Sequence, residues 1–428
     1  MTAAMLRQRL IAWFRLLFEF GLSSGFAQAI GMVSGLVYVR YMPISDYALY
    51  GLAATTLTFV TISSDLGLNS SITYFWRKAR LGGVAFGDYL AGIRHLRLIL
   101  FVSVGVIAAA IFPAVGQRSH YGLDALLIAL TLLLGSALLQ MSAGINLQVM
   151  RLLGWFRRSY ICDIAGQSMR VLAAAIMVLG ISRSYWMALL GGLMCSAVTL
   201  GASSWMLRGK IERNRVPVPD LFRAIMRYVG PAAPAVLAFA LQDSVILWLA
   251  ARFGGPQVVA SVFAVNRITA IVGIVSTFSN VVIVPRLAGI TDIRRFILAG
   301  WVAKAIMAIV GLGVIAIGAL LPGPLLWLLG PRYMHLDHEL LAALTTAAIT
   351  LVMTPTVMLN RAKGWVRLDP VIALVQIALL IVMVPFWDFT TPLSVLLLSM
   401  MLSGSLLLQG LAISIIGAFR PNLVAARS

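Results

Sequence analysis

Long apolar runs, separated by charged or Pro/Gly-rich breaks, follow one another along the whole chain. A helix that crosses ~30 Å of hydrocarbon needs ~20 mostly apolar residues at ~1.5 Å each, and the runs have about this length. Spans two and eight are the least apolar, because threonine and serine dilute span two, and Asn266, Arg267 and Asn280 dilute span eight. The pattern predicts an all-α polytopic membrane protein with spans near residues 18–39, 47–70, 96–115, 122–146, 161–181, 185–207, 229–251, 258–284, 297–321, 339–360, 368–387 and 392–417.

The composition agrees with twelve spans joined by short connections. The 428 residues are 61% hydrophobic and 11% charged, whereas a soluble domain is roughly half apolar and a quarter charged. A net charge of +19 would suggest nucleic-acid binding in a soluble protein; in a membrane protein it raises the question of where the cations lie. We therefore expect no nucleic-acid partner. Cys162 and Cys195 both lie in apolar surroundings and form neither a disulfide framework nor a metal signature.

Lysine and arginine alternate strictly between the two sides of the predicted spans. If the amino terminus is cytoplasmic, 25 of the 33 cations fall in cytoplasmic segments and three lie inside spans. Five arginines fall on the opposite side: Arg40, Arg118, Arg183, Arg252 and Arg332. Because positive charge is retained on the cytoplasmic side, we expect a multi-pass protein of the bacterial inner membrane with both termini in the cytoplasm.

The chain nearly repeats itself at an offset of 212 or 213 residues. Residues 37–50, VYVRYMPISDYALY, are similar to residues 249–263, LAARFGGPQVVASVF. With six spans in each half the two copies share one orientation, which predicts a pseudo-twofold axis along the membrane normal and a central cavity between the halves. We expect these segments: an amphipathic cytoplasmic lead-in (1–17), a six-helix half (18–207), a cytoplasmic linker (208–228), a second six-helix half (229–417) and a cytoplasmic tail (418–428).

Charged residues inside the predicted spans are candidates for function, because each costs ~3 kcal/mol or more to insert into a membrane. Asp243 and Arg267 lie at similar depths of roughly 13–16 Å. Either they form a structural ion pair, or Arg267 binds an anionic substrate while Asp243 sets its field or takes a proton. Asp65 lies toward the inner end of span two, where it either couples proton entry or caps and pairs locally.

The remaining candidate cations differ in depth. Arg170 is too far inside span five to snorkel, so it contacts either substrate or another helix. Lys304 lies close enough to the cytoplasmic surface to snorkel. Arg40 and Arg252 are equivalent in the repeat and lie at the outer mouth, where they either meet a phosphate or anchor to headgroups.

An enzymatic function finds little support in the motifs. His335 and His338, with two carboxylates between and after them, could bind a metal weakly, but Asp337 as a helix cap is the favoured interpretation. Nucleophile elbows, phosphate-binding glycine loops and dinucleotide fingerprints are not found in a credible context. We expect neither enzyme activity nor a cofactor, and energy from an ion gradient or the membrane potential.

Four short motifs carry a resemblance to a known family. They are RYMPISDYALY (40–50), DLGL (65–68), GWFR (154–157) and LLGPRY (328–333). Together with the span count they resemble the polysaccharide flippases of the multidrug/oligosaccharidyl-lipid/polysaccharide exporter superfamily, especially the O-antigen and exopolysaccharide repeat-unit flippases. Ala48 departs from the glycine that many members carry after the tyrosine. The resemblance implies alternating access by two six-helix bundles around a central cavity, moving a polyprenyl-diphosphate-linked oligosaccharide to the outer leaflet for lipopolysaccharide or exopolysaccharide biosynthesis.

The substrate-binding cations that we predict are Arg267, Arg170, Lys304, Arg40 and Arg252, with Asp243 and Asp65 as coupling or pairing carboxylates. The expected partners are the lipid-linked oligosaccharide, membrane lipids, a proton or sodium ion, and other polysaccharide assembly proteins. Two alternatives remain: an ion-coupled multidrug exporter of the same superfamily, and a non-transport scaffold of a polysaccharide assembly complex. An exporter of cationic drugs should place carboxylates in its cavity, whereas the embedded cations here at least match the carboxylates.

Overall fold

A computed structural model describes residues 25, 27–80, 85–119, 121–209, 219–230, 233–279, 283–290, 292–365 and 367–420. Within these ranges the chain is helical and contains no β-strand. The lead-in expected at residues 1–17, most of the expected linker and the end of the expected tail lie outside the described residues.

Six long helices form the amino-terminal bundle. They are α1 (residues 27–41), α2 (Ile44–Asp65), α4 (Phe86–Arg118), α5 (Leu123–Leu152), α6 (Phe156–Val178) and α7 (Tyr185–Met206). Two shorter helices, α3 (Leu68–Arg80) and α8 (Pro219–Val229), pack against the beginning of α4. Their apolar residues, including Ile72 and Ile225, face a common core with Ile93 of α4, while their polar residues lie outside it.

The carboxy-terminal bundle repeats this plan. Its helices are α9 (Ala233–Phe253), α10 (Gly255–Phe278), α11 (Val284–Ala288), α12 (Ile293–Leu320), α13 (Pro322–Trp327), α14 (Asp337–Ala362), α15 (Asp369–Met383) and α16 (Pro392–Phe419). Short 3₁₀ turns at Pro331–Tyr333 and Val384–Phe386 follow α13 and α15. The all-α, two-bundle architecture confirms the predicted fold class.

Ten helices of the described chain are long and apolar enough to cross a membrane, so the chain is a multi-pass membrane protein. The two long helices outside this set are α1 and α2. Helix α1 is described over 15 residues only, and α2 contains the threonines and serines that made span two the least apolar in the sequence.

Two predicted boundaries differ from the structure. Span two was expected to continue to residue 70, but α2 ends at Asp65, because Leu66 and Gly67 have the left-handed φ values 42° and 87° that terminate a helix. Helix α4 begins at Phe86, ten residues before the predicted span. Its first turns carry Arg94 and Arg97, and a hydropathy criterion excludes charged turns although they continue the same helix.

The two bundles share a core at one end of the molecule only. We call this the cation-poor end, because its connections carry Arg40, Arg118, Arg183, Arg252 and Arg332, and we call the opposite end the cation-rich end. Buried apolar residues of both bundles form one continuous cluster toward the cation-poor end. Toward the cation-rich end each bundle has its own cluster. The structure is therefore closed at the cation-poor end.

Three hydrogen bonds join the bundles within this closed region. The Trp248 indole Nε1 donates to the Thr56 hydroxyl at 3.1 Å, deep between α9 and α2. The Ser119 hydroxyl donates to the Ala251 carbonyl at 2.7 Å. Arg332 donates to the Met42 carbonyl at 2.8 Å. Because each bond joins residues of different bundles, all three must break if the bundles separate at this end.

Candidate functional site

A cavity of about 260 Å³ lies between the amino-terminal bundle and α10. Helices α2, α5, α6, α7 and α10 line it, and we call it the central cavity. Its polar lining consists of hydroxyl, amide and guanidinium groups: Tyr50, Thr55, Thr58, Thr61, Ser136, Gln140, Arg170 and Arg267.

The wall formed by α2 follows from helical periodicity. Tyr50, Ala54, Leu57, Thr58 and Thr61 recur at spacings of three and four residues, so they lie on one helix face, and all five line the cavity. The threonines that weaken α2 as a membrane span are thus partly on the cavity wall. Thr58 and Thr61 also donate to carbonyls one turn earlier, at 3.0 and 2.9 Å, which satisfies their hydroxyl protons.

Arg267 of α10 is held by aromatic rings rather than by a carboxylate. Its guanidinium carbon lies 4.4 Å from the centroid of the Phe263 ring and 5.7 Å from that of Tyr50. Its Nη2 is 3.5 Å from the Tyr50 hydroxyl, a long hydrogen bond. Gly35 of α1 permits this position, because a Cβ there would lie 3.3 Å from the Arg267 Cδ. The buried Nε of Arg267 has no hydrogen-bond partner within the described residues.

Arg170 of α6 reaches the same cavity from the amino-terminal bundle. Its backbone carbonyl accepts a hydrogen bond from the Tyr38 hydroxyl at 3.0 Å, which ties α6 to α1. The Tyr38 ring packs edge to face on Tyr50, with centroids 5.5 Å apart. Tyr38 and Tyr50 therefore connect the backbone of Arg170 with the side chain of Arg267.

The central cavity carries an uncompensated positive charge. Two guanidinium groups line it, and none of the described lining residues is an aspartate or glutamate. Arg170 and Arg267 make no ion pair with any carboxylate that the structure describes. Unpaired cations inside a membrane are costly, and an anion placed between them would be bound strongly in this low-dielectric setting.

Asp243 does not pair with Arg267, which removes the structural ion-pair alternative. Both residues are described, but the Arg267 side chain packs on Gly35, Tyr50 and Phe263, whereas Asp243 is exposed on α9 and does not line the cavity. Equal depth along two helices does not fix the direction in which each side chain points. The comparison of depths was therefore insufficient.

Lys304 lies outside the central cavity. It is buried within the carboxy-terminal bundle, 7% exposed, where its Nζ donates to the Ser414 hydroxyl at 2.8 Å and lies 4.4 Å from the Trp301 ring centroid. Ser414 in turn donates to Asn360 at 2.8 Å. Lys304 is thus bound inside its own bundle, and the expected snorkelling is not observed.

Arg40 and Arg252 are both exposed at the cation-poor end and do not line the cavity in this closed arrangement. Arg40 lies 5.1 Å above the Trp327 ring of the other bundle, and Arg252 lies 5.3 Å from the ring of Phe253. Their predicted place among the cavity cations is therefore not what this structure shows.

Asp65 both caps and pairs, as the second of its two alternatives proposed. Its carboxylate accepts from the Asn69 backbone N–H at 3.3 Å and lies 3.0 Å from Arg97 Nη2. This pair belongs to the cation-rich end of the amino-terminal bundle and is separate from the central cavity.

Sequence reasoning missed the aromatic residues that hold Arg267. The signal was present in the repeat, because Tyr50 and Phe263 are aligned at an offset of 213 residues. Positions related by a pseudo-twofold axis meet when they lie near that axis. Two aligned aromatic residues close to an embedded arginine could therefore have indicated the cavity wall.

No protein-family model matches the sequence, and no curated protein sequence matches it. Solved structures match it over nearly the full length. An inward-facing multidrug resistance MATE family transporter of the MOP superfamily has a TM-score of 0.65 at 16% identity, over 93% of this chain and 95% of that chain. The inward closed lipid II flippase MurJ has a TM-score of 0.65 at 11% identity, over 96% and 94%.

The chain has the fold of the MOP-superfamily transporters. A third example is a MOP superfamily transporter from Pyrococcus furiosus, with a TM-score of 0.64 at 17% identity over 95% of both chains. At such identities the likeness establishes the fold alone. In this MOP-type fold the central cavity lies against the boundary between the two bundles.

Proposed function

We propose that the chain is a transporter that moves a polyprenyl-diphosphate-linked oligosaccharide from the inner to the outer leaflet by alternating access. The observation that carries this proposal is the central cavity, with Arg170 and Arg267 from the two bundles and no described carboxylate in its lining. Planar guanidinium groups match phosphate oxygens in bidentate geometry. The diphosphate is therefore the substrate group that best fits the cavity.

The remaining lining suits the sugar next to the diphosphate. Threonine, serine and glutamine side chains offer hydroxyl and amide groups to sugar hydroxyls. The volume of about 260 Å³ is near the lower limit of pockets that hold small ligands, ~300–1,000 Å³. We infer that the cavity takes the diphosphate and the adjoining sugar while the polyprenyl chain stays in the bilayer.

The closed cation-poor end fits one end state of alternating access. We propose that it faces the periplasm, with both termini and the cation-rich end in the cytoplasm. In this state a substrate from the inner leaflet reaches the cavity without a continuous path to the outside. The expected linker at 208–228 would then join the two bundles on the cytoplasmic side. A proton or sodium ion remains the proposed energy source.

The likeness to a multidrug resistance MATE transporter favours one competing function, export of drugs. A cavity for cationic drugs would carry carboxylates, and the positive central cavity would repel such compounds. The Pyrococcus furiosus transporter is described as having a binding pocket of reversed polarity that suggests a different function. Cavity charge is thus the property by which we separate the two functions for this chain.

A cell-based experiment tests the proposal. A bacterial strain that lacks its own repeat-unit flippase, but makes the matching lipid-linked oligosaccharide, receives the wild-type chain, Arg170→Gln or Arg267→Gln. We expect surface glycan with the wild type, and intracellular lipid-linked oligosaccharide with both variants, at equal amounts of membrane-inserted protein. Arg252→Gln removes an exposed arginine outside the cavity and serves as the matched control.

Two results would overturn the proposal. Glycan export by both variants at the wild-type rate would show that the cavity cations do not bind the substrate. Resistance to cationic drugs without glycan export would favour the multidrug exporter, and absence of both activities would favour the scaffold.

A further inference from the structure

A second polar pocket lies on the opposite face of α5 from the central cavity. The central cavity uses Ser136 and Gln140 of this helix, whereas the second pocket uses Met141, Ser142 and Ile145. At 100° per residue these two sets point to opposite sides of α5. The second pocket, of about 300 Å³, lies between α4, α5 and α7, and we call it the arginine pocket.

The arginine pocket contains a connected set of donors. Arg94 donates to the Asn146 side chain at 3.3 Å, and Asn146 donates to Ser204 at 3.0 Å. Arg97, which is 5% exposed, donates to the Met141 carbonyl at 3.1 Å. These contacts hold both guanidinium groups at the pocket while leaving donors available to a further acceptor.

The charge of the arginine pocket is positive. Arg94 and Arg97 line it, and none of its described lining residues is acidic. Asp65 neutralises one of the two charges from behind, at 3.0 Å from Arg97. The buried Nε of Arg97 has no hydrogen-bond partner within the described residues. The pocket thus presents one net positive charge and an unsatisfied buried donor to an anion.

An apolar furrow continues from the arginine pocket toward the cation-poor end. Leu138 belongs to both, and the furrow then follows Val102, Gly105, Val106 and Ala109 of α4. Gly105 gives the furrow its depth, because a Cβ there would already touch Leu134 at 3.7 Å. Val102 and Val106 are 55% and 65% exposed, so the furrow opens to the surface that faces the bilayer.

The dimensions match one lipid in one leaflet. From Leu98 to Ala109 the furrow follows eleven residues of α4, or about 16 Å, close to half of a ~30 Å hydrocarbon layer. Helix α4 has 33 residues, so at about 50 Å it is longer than the hydrocarbon, and its first turns reach the headgroup layer. Arg94 and Arg97 lie on these turns, at the depth of lipid phosphates.

We propose that the arginine pocket and the furrow together bind one anionic glycerophospholipid of the membrane. The phosphate lies against Arg94 and Arg97, and one acyl chain lies in the furrow. Basic pockets between membrane helices on the cytoplasmic side are suited to acidic headgroups. A zwitterionic lipid gains the same apolar contact but not the net charge attraction, so the site distinguishes the two lipid classes.

The test uses the full-length chain, purified in a mild detergent and titrated separately with phosphatidylglycerol and phosphatidylcholine. Native mass spectrometry counts bound lipid. We expect one phosphatidylglycerol to bind in preference to phosphatidylcholine. In Arg94→Gln its affinity should fall roughly fivefold, since one cation near an acidic headgroup is lost. Val102→Trp should fill the furrow and weaken binding further.

Matched controls separate this site from general charge and surface effects. Arg157→Gln removes an exposed arginine outside the pocket, and Ile107→Trp adds an indole to the same helix outside the furrow. Both should bind phosphatidylglycerol like the wild type. Equal affinity for the two lipids, or equal losses in test and control variants, would overturn the proposal. Displacement of phosphatidylglycerol by polyprenyl phosphate at a tenth of its concentration or less would also overturn it, because the site would then serve the carrier lipid.

Discussion

Tyr50 of α2 and Phe263 of α10 are aligned in the internal repeat and contact each other edge to face, with ring centroids 5.8 Å apart. Both rings lie beside Arg267, so the pseudo-twofold relation of the bundles produces the aromatic wall that holds this cation. The closed cation-poor end and the charged cavity thus share residues. Separating the bundles would also remove Arg267 from the Tyr50 ring.

The close approach of α2 and α10 depends on Gly51. A Cβ at this position would lie 2.9 Å from the Phe263 ring, which is closer than side chains tolerate. We expect Gly51→Ala to lower the stability of the closed arrangement by about 1–3 kcal/mol, as overpacking does. Thermal unfolding of the purified protein measures this. Gly313→Ala adds the same methyl group on α12 in open space and should leave the midpoint unchanged.

If the contact with Phe263 is the cause, Phe263→Leu combined with Gly51→Ala should recover part of the lost stability. A midpoint for Gly51→Ala equal to that of the wild type would contradict the close packing of the bundles.

The Asp65–Arg97 pair should behave as a structural pair. Arg97→Gln leaves Asp65 without its cation and the Met141 carbonyl without its donor, so we expect a loss of about 3–5 kcal/mol, typical of breaking a buried pair. Combining it with Asp65→Asn removes the uncompensated charge and should recover part of that loss. Unfolding of the single and double variants measures the coupling. Strict additivity of the two single effects would exclude the pair as a stabilising contact.

Lys304 should be dispensable for transport. It lies outside the central cavity and is bound to Ser414 within the carboxy-terminal bundle. Replacing a buried charge by an apolar side chain is often neutral or stabilising, and Ser414 keeps its bond to Asn360. We therefore expect Lys304→Met to fold and to export glycan like the wild type. Loss of export by a folded variant would restore Lys304 as a functional residue.

The sequence predicts the helices better than the cavity. Apolar runs locate the spans because insertion into hydrocarbon depends on composition alone, and alternating cations order their connections. Helix α3 was missed because its residues are polar on one face, and its separation from α2 depends on the local backbone of Leu66 and Gly67.

The candidate site could be predicted only in part. Arg170 and Arg267 were identified from the cost of embedded charge, and the structure brings both to one cavity. Their neighbours could not be predicted, because depth along a helix does not determine azimuth. Asp243 illustrates this, since it matches Arg267 in depth but is exposed on α9. Lys304 shows the same for burial, as its partner Ser414 lies 110 residues away.

The central claim is that the two cavity arginines bind the diphosphate of a lipid-linked substrate. The most direct measurement reconstitutes the purified protein in liposomes with a fluorescent polyprenyl-diphosphate sugar and follows its transfer between leaflets by quenching from outside. We predict transfer by the wild type and by Arg252→Gln. Loss of two charge-assisted phosphate contacts should slow Arg170→Gln/Arg267→Gln by roughly 100-fold, at about 1.5 kcal/mol or more per contact. Transfer by the double variant at the wild-type rate would contradict the claim.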